Sequence, residues 1–270
     1  MPGLRSKPKI RWNHACTSAI GTSHHQSGLP CQDTSGAETL GPEQEILLLA
    51  LSDGAGSAAH ADKGAKIVVR QWLDTFRVLL DQNPDPARLL AEFEREEMIG
   101  LLRSIREEVV SEARELGTEP SELSATLLGA VLTPTHTLVA QVGDGAWVAQ
   151  VNGVLGEGIL GCLTWPTSGE FAGQTTFATS FAAEDALQMV HLKTAPTLLA
   201  GFTDGLERLL LEFRTQLPAA GFFLPAGKAL AAGEQEFREQ LQDFLSSEQV
   251  CSRTDDDKSI ALVTHSHANF

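Results

Sequence analysis

The chain is short of basic residues, short of cysteine and free of long apolar runs, and each shortage removes a class of function. Its 270 residues carry 20 Lys and Arg against 35 Asp and Glu, a formal net charge of −15. That balance argues against an electrostatic grip on nucleic-acid phosphate or anionic lipid, so neither nucleic acid nor membrane is an expected partner. Cys16, Cys31, Cys162 and Cys251 are scattered and lack metal-type pairing. They read as free thiols in a reducing compartment rather than as a disulfide framework. No apolar run approaches the roughly 18 residues that a membrane span needs. Residues 1–12 are basic and polar without an apolar core, which is not the pattern of a signal peptide, and a cytoplasmic location is expected. No repeat, low-complexity tract or dividing linker interrupts the sequence, so residues 1–270 read as one domain with ample capacity for a core. What is present, 42% apolar and 20% charged residues, is globular composition.

Periodicity sorts the chain into elements. Residues 9–22 mix Trp, His, Cys and Ile with small polar residues, as a strand entering a sandwich does. Glu45-Ile46-Leu47-Leu48-Leu49-Ala50-Leu51-Ser52 is a short continuous apolar run stopped by Asp53-Gly54, which predicts a strand covered on both faces. Ile67, Val68, Trp72, Phe76, Leu79 and Leu80 recur at helical spacing up to Asn83-Pro84. A second, charged helix is expected over 86–116, with Asn83-Pro84-Asp85-Pro86 as the turn of an antiparallel pair. Beyond Gly117 the pattern changes to strands. Residues 124–133 and 137–142 form one expected hairpin, and 146–151 with 154–159 another about Asn152-Gly153. A Gly/Thr-rich loop over 160–180, with a short strand near Thr176, precedes strands at 187–192 and 197–203. A helix at 206–217, a loop at 218–233, a helix at 234–245 and a strand at 259–264 complete the chain. Two helix pairs alternating with many antiparallel strands predict an α+β layered fold.

Four aspartates share one position, the end of an apolar run where a strand leaves the core: Asp53, Asp144, Asp204 and Asp256. Carboxylates converging at one sheet end repel unless divalent cations neutralise them. Glycine follows three of them, in Asp53-Gly54, Asp144-Gly145 and Asp204-Gly205, and frees the backbone to turn or to offer a carbonyl. Any one Asp-Gly pair is an ordinary turn. Three such pairs after buried strands, with Thr254-Asp255-Asp256-Asp257 before another, point to a metal site.

These residues belong to a longer ordered set. Gly21-Thr22-Ser23-His24, Pro30-Cys31-Gln32-Asp33, Ser52-Asp53-Gly54-Ala55-Gly56, Ser124-Ala125-Thr126, Val142-Gly143-Asp144-Gly145, Gly169-Glu170-Phe171-Ala172, Phe202-Thr203-Asp204-Gly205 and Asp256-Asp257-Lys258-Ser259 run from Gly21 to nearly the end of the chain. In kind and order they resemble bacterial metal-dependent protein phosphatases of the 2C type. The resemblance implies a β-sandwich of two antiparallel sheets flanked by pairs of helices, holding two Mn²⁺ or Mg²⁺ ions at one end. By motif, Asp53 bridges both ions, the Gly54 carbonyl binds one, Asp204 and Asp256 complete a shell, and Asp33 acts through a water. Asp256 rather than Asp255 or Asp257 is chosen by the resemblance, because strand direction alone does not decide. Hard oxygen donors suit Mg²⁺ and Mn²⁺ better than Zn²⁺. The implied activity is hydrolysis of phosphoserine and phosphothreonine in proteins modified by a Ser/Thr kinase, by attack of a metal-activated water, with no thiol nucleophile.

The sequence also departs from the family pattern. Gly28 stands where many members carry a phosphate-gripping Arg, and Ala55 where many carry His. His24, His25 and His60 are near in sequence only. A third ion would use Asp144 and an acid four residues after Asp204, where this chain has Arg208 with Glu207 beside it. Gly28 and Ala55 motivate a rival reading, a catalytically weak or inactive module that binds a phosphorylated partner. A phosphatase of small phosphoesters shares every site residue. Intact Asp33, Asp53, Asp204 and Asp256 favour an enzyme, since an unused carboxylate cluster destabilises the fold that carries it.

Overall fold

The computed structural model describes residues 10–152, 158–167 and 175–267. In chain order the elements are β1 (Trp12–Ala19), α1 (Thr22–Ser27), β2 (Thr34–Leu40), β3 (Ile46–Ser52), α2 (Ala61–Asp81), α3 (Pro86–Glu92), α4 (Arg95–Leu116), β4 (Leu127–Leu132), β5 (Thr137–Val142) and β6 (Ala146–Asn152). There follow β7 (Gly158–Cys162), α5 (Ala183–Ala186), β8 (Gln188–Leu192), β9 (Leu198–Phe202), α6 (Glu207–Leu210), β10 (Leu211–Glu212), β11 (Leu217–Pro218), α7 (Ala220–Ala232), α8 (Glu234–Leu245), α9 (Glu248–Cys251) and β12 (Lys258–His265). One antiparallel sheet has the order β1-β12-β9-β6-β7 and the other β2-β3-β4-β5-β8.

Alternation along the central strands builds the layers. On β3, Leu47, Leu49 and Leu51 point between the sheets, while Ile46, Leu48 and Ala50 point at α2 and α4. On β12, Ala261 and Val263 face the inter-sheet core, and Ile260 and Leu262 face α7 and α8. Because both faces are covered, these strands read as unbroken apolar runs. Each fully buried Leu contributes about 1.5–3 kcal/mol of transfer free energy. Trp72 anchors the α2 side, its ring 4.6 Å from that of Phe76, which lies 5.3 Å from Phe93. The result is the expected α-β-β-α stack of two antiparallel sheets between helix pairs.

Several elements differ from expectation. The helix over 86–116 breaks at Phe93, which is extended, and restarts at Glu94, whose side chain forms a reciprocal capping box with Glu97. Residues 218–233 are helical as α7, although Gly221, Pro225 and Gly227 argue for a loop. Burial of Phe223 and Leu230 against the sheet outweighs those breakers. Conversely, the helix over 206–217 ends at Leu210. Buried Leu211 then starts a small hairpin closed through Gln216 at φ 55°. No strand forms at Thr176, where Ala178 instead donates its N–H to the Ala125 carbonyl at 2.8 Å. The β6–β7 pairing is antiparallel and joins Val148 to Cys162 and Asn152 to Gly158 among the described residues; residues 154–157 of the expected hairpin lie outside them. Gly153 of the Asn152-Gly153 turn and the Gly169-Glu170-Phe171-Ala172 motif lie outside the described residues.

Candidate active site

One end of the sandwich collects the aspartates from both sheets. Asp53 leaves β3 and is laced to the strand beside it. Its N–H donates to Thr126 Oγ1 at 2.9 Å, and its carbonyl accepts from the Thr126 N–H at 2.8 Å. Gly54 continues as an antiparallel bridge with Ala125. The Ser124-Ala125-Thr126 motif is therefore the brace of the Asp53 loop.

Asp144 sits in a turn that carries the chain from β5 in one sheet to β6 in the other. Gly145 has φ 84°, and a Cβ there would fall 2.3 Å from the Phe202 carbonyl, so only glycine fits. Gln141, fully buried, donates from Nε2 to the Gly143 and Gly145 carbonyls at 3.2 and 2.9 Å. Glu207 accepts the Gly145 N–H at 2.6 Å, and Thr175 donates its hydroxyl to Asp144 Oδ2 at 2.6 Å. Asp204 opens the short 3-10 turn after β9. The hydroxyl of neighbouring Thr203 donates to Asp33 Oδ2 at 2.7 Å and accepts the Ser259 N–H at 2.8 Å.

Before β12, the three acids of Asp255-Asp256-Asp257 divide their work. Asp257 is buried and accepts the N–H groups of Gly21 at 2.6 Å and Gln32 at 2.5 Å, with His24 Nδ1 at 2.9 Å. It ties the chain before β2 to β12. Asp256 lines the cavities at the sheet end. Lys258, fully buried, donates from Nζ to the Asp256 carbonyl at 3.0 Å and fixes that loop.

Carboxylate oxygens of Asp53, Asp144 and Asp204 all lie within 4.8 Å of one another. Oδ1 of Asp33, of Asp144 and of Asp204 is buried without a hydrogen-bond partner. An orphaned buried carboxylate oxygen is costly unless something positive meets it. The proton affinities record the strain. Burial first, and then the charge of Asp33 and Asp204, raises Asp53 well above the usual carboxylate range. Asp204 is raised to about 8 by burial and then by Asp144, Asp256 and Asp33. Burial raises Asp33 to about 6 against the help of its hydrogen bonds, and Glu207 to about 7. Asp144 and Asp256 are raised as well, again by desolvation first. All donors are hard oxygens with the spacing and unmet valence that a divalent cation satisfies.

The structure thus brings Asp53, Asp144, Asp204 and Asp256 to one place, with Asp33 behind them on Thr203. Asp144 is as central to the cluster as Asp53. Glu207, Thr175 and Thr203 belong to the site without having stood out in the sequence; only the nearness of Glu207 to Asp204 hinted at it. The histidines that are near in sequence do not line the cavities over the carboxylates: His24 is held by Asp257, His25 is exposed, and His60 lies outside both cavity walls. Ala55 packs with Ala58, Ala61 and Phe177 in a small apolar cluster. Gly28 closes α1 in the left-handed region, φ 72°, a conformation that an arginine there would strain. Cys31 is no nucleophile, because burial and then the charges of Asp257 and Asp33 push its thiol to about 12.

Comparisons with known proteins agree with this geometry. The chain matches the family described as Protein phosphatase 2C over residues 20–246. It is 34% identical over 260 residues to serine/threonine-protein phosphatase 3 of Escherichia coli, covering 94% of this chain and 98% of the relative. Among solved structures it resembles the serine/threonine phosphatase Stp1 from Staphylococcus aureus, with TM-score 0.60 and 14% identity over 98% of this chain and 99% of that one. It also resembles the serine-threonine phosphatase 2C from Toxoplasma gondii, with TM-score 0.63 and 13% identity over 94% and 95% of the two chains. A family match over most of the chain, together with a relative 34% identical across nearly all of it, settles the lineage: this chain belongs to the protein phosphatase 2C family.

Proposed function

We propose that the protein is a metal-dependent serine/threonine phosphoprotein phosphatase, acting as one catalytic unit over residues 1–270. Asp33, Asp53, the Gly54 carbonyl, Asp204 and Asp256 hold two divalent ions, Mn²⁺ or Mg²⁺, and Asp144 is the candidate ligand of a third. The observation that carries this reading is the cluster of carboxylate oxygens from Asp53, Asp144 and Asp204, two of whose residues keep a buried oxygen unmet. When bound, divalent ions supply Lewis acidity at neutral pH, drawing a water towards hydroxide and offsetting charge on the transferring phosphoryl group.

The chain's own groups do the positioning. The Thr126 clasp fixes the Asp53 backbone at the end of β3, from which its carboxylate reaches the cluster. Thr203 orients Asp33 by donating to Oδ2, which leaves the buried Oδ1 without a hydrogen-bond partner. Gln141 and Glu207 hold the two glycines that flank Asp144. Asp257 and Lys258 set the loop of Asp256 from behind. The substrates are proteins phosphorylated on serine or threonine, the products of a Ser/Thr kinase, and the acidic surface gives no grip for nucleic acid. Among the described residues no helix is long and apolar enough to cross a membrane.

The test is hydrolysis of a phosphothreonine peptide with Mn²⁺ or Mg²⁺, with EDTA as control. Turnover that needs the divalent ion supports the enzyme. Absence of turnover with either ion, together with retained binding of the phosphopeptide, would establish the non-catalytic module that Gly28 and Ala55 suggest.

A further inference from the structure

Two cavities open on the same carboxylates. The first, of about 760 Å³, is walled by Asp53 to Ser57 and by Thr175 to Phe177, with Asp144, Asp204 and Asp256 at its floor. None of its lining residues is Lys, Arg or His. The second, of about 740 Å³, shares Asp144, Asp204 and Asp256 but is walled by Arg208, Arg253 and Phe213. All the cationic side chains facing the cluster from these two cavities therefore stand on one side.

Both arginines are carried by segments that also carry proposed ligands. Arg208 lies on α6 four residues after Asp204, next to Glu207, which is pinned to the Gly145 N–H. Arg253 follows α9 and is fixed through its N–H to the Val250 carbonyl at 2.9 Å, three residues before Asp256. Some guanidinium groups elsewhere are engaged, Arg77 on Glu38 and Arg103 and Arg106 on Glu184; Arg114 and Arg214 are also exposed without such a bond but line neither cavity. The side chains of Arg208 and Arg253 have no hydrogen bond or ion pair within contact distance among the described residues, and both residues are exposed. Arg208 feels the charge of Glu207 without a hydrogen bond to it, and two exposed guanidinium groups at the rim of a carboxylate cluster are poor partners for a metal but good ones for the oxygens of a phosphoryl dianion, which a planar fork can bind bidentately. Gly28, at the position where many 2C-type phosphatases carry an arginine, is exposed, conformationally unsuited to arginine and lines neither cavity.

We infer that Arg208 and Arg253 form the phosphate-binding pair of this enzyme, holding phosphoryl oxygens of the phosphorylated side chain from the second cavity. The inference rests on the phosphatase reading for its substrate, but its anion chemistry is testable without turnover. Inorganic phosphate is titrated by calorimetry into the Mn²⁺-loaded wild type, Arg208→Ala, Arg253→Ala and the double variant. Mn²⁺ affinity is measured in parallel, and KM for a phosphothreonine peptide where there is turnover. Each single variant should weaken phosphate binding about tenfold, as expected for loss of a charge-assisted hydrogen bond, and the double variant more. KM should rise with it, by a larger factor than kcat falls, and Lys at either position should restore part of the loss. Removing a cation beside carboxylates should leave Mn²⁺ affinity unchanged or tighter, whereas a structural role would weaken phosphate and metal binding together. Phosphate affinity within twofold of wild type in the double variant, or a parallel loss of Mn²⁺ affinity, overturns the assignment. Failure of the wild type to hydrolyse the peptide while the arginine variants still lose phosphate affinity would sink the phosphatase reading and leave the anion site standing.

Discussion

Two groups of acids in this molecule live by opposite rules. Glu184 on α5 is gripped by Arg103 and Arg106, and those hydrogen bonds pull its carboxyl down to about 2. Asp204, at the sheet end, is raised to about 8 by burial and then by the charges of neighbouring acids. Glu184 pins α5 to α4 and needs nothing further. The sheet-end aspartates are held by backbone ties and neutral hydroxyls, and among the described residues no guanidinium is hydrogen-bonded to them. The fold spends cations where an acid is structural and withholds them where the acid has a cation still to meet.

Breaking that contrast at its centre should have the largest effect. Asp53→Asn keeps the shape but removes the charge proposed to bridge two ions. Metal-dependent turnover should fall by about a thousandfold or more, while the Tm of the metal-free protein holds or rises, because repulsion is relieved. Near wild-type turnover by a folded Asp53→Asn protein would remove Asp53 from the bridging role.

The adjacent acids before β12 offer a sharper version within three residues. Asp256→Asn should weaken Mn²⁺ affinity most, by about tenfold or more, with little change in metal-free Tm. Asp257→Asn should instead lower Tm, since a buried acceptor of two backbone N–H groups and His24 loses charge-assisted bonds, at a cost of about 1.5–3 kcal/mol. Asp255→Asn, exposed, should be nearly silent. Paired calorimetry and thermal melts separate the three, and a critical Asp255 would shift the motif by one residue.

The two rules also predict a pH dependence. A carboxyl whose folded pKa is raised binds its proton more tightly in the folded state. Stability of the metal-free protein is therefore lost as pH rises from the ordinary carboxylate range, near 4, to about 8, where Asp204 has ionised. Asp33 at about 6 and Glu207 at about 7 add to the same slope. Melts of chelated protein should show Tm falling by several degrees across this window, and added Mn²⁺ should raise it most at the upper end. A metal-free Tm that climbs through the window would contradict the repulsion. The smallest effect is expected on the other side of the contrast: Glu184→Gln should leave Mn²⁺ affinity and turnover of a small phosphoester within about twofold.

The sequence displayed the sheet-end aspartates because each follows an apolar run long enough to be a buried strand, as at Leu47 to Leu51 before Asp53 and Leu198 to Phe202 before Asp204. The layers were legible for the same reason. Less legible was whatever depended on long-range packing. Residues 220–232 carry loop chemistry in Gly221, Pro225 and Gly227 and become a helix only because the sheet gives Phe223 and Leu230 somewhere to bury. Leu206, Leu209, Leu210 and Phe213 have helical spacing, yet the chain turns at Leu211 and sends Phe213 to an edge contact with Trp165. Glu207, Thr175 and Thr203 were hidden because a hydroxyl or carboxylate that acts through hydrogen bonds has no spacing of its own. Asp257 was visible as an acid but not as a tie, since its partners Gly21 and Gln32 lie more than two hundred residues away.

The proposed ligands are divided between the two sheets, and that division has a mechanical side. Asp33 and Asp53 adjoin β2 and β3 of one sheet, Asp204 and Asp256 adjoin β9 and β12 of the other, and Asp144 lies on the turn that crosses between them. At the far end, the Trp12 indole donates to the Glu45 carbonyl at 2.8 Å and pins the sheets there. The sandwich is then a book sewn at Trp12 at one end, with the proposed metal clasp at the other, beside the Thr203–Asp33 hydrogen bond. Chelation should open the pages from the clasp inward. Amide exchange near Asp53, Thr203 and Ser259 should quicken well before exchange at Ile46 and Thr264, which would make backbone breathing at one edge a direct gauge of metal occupancy.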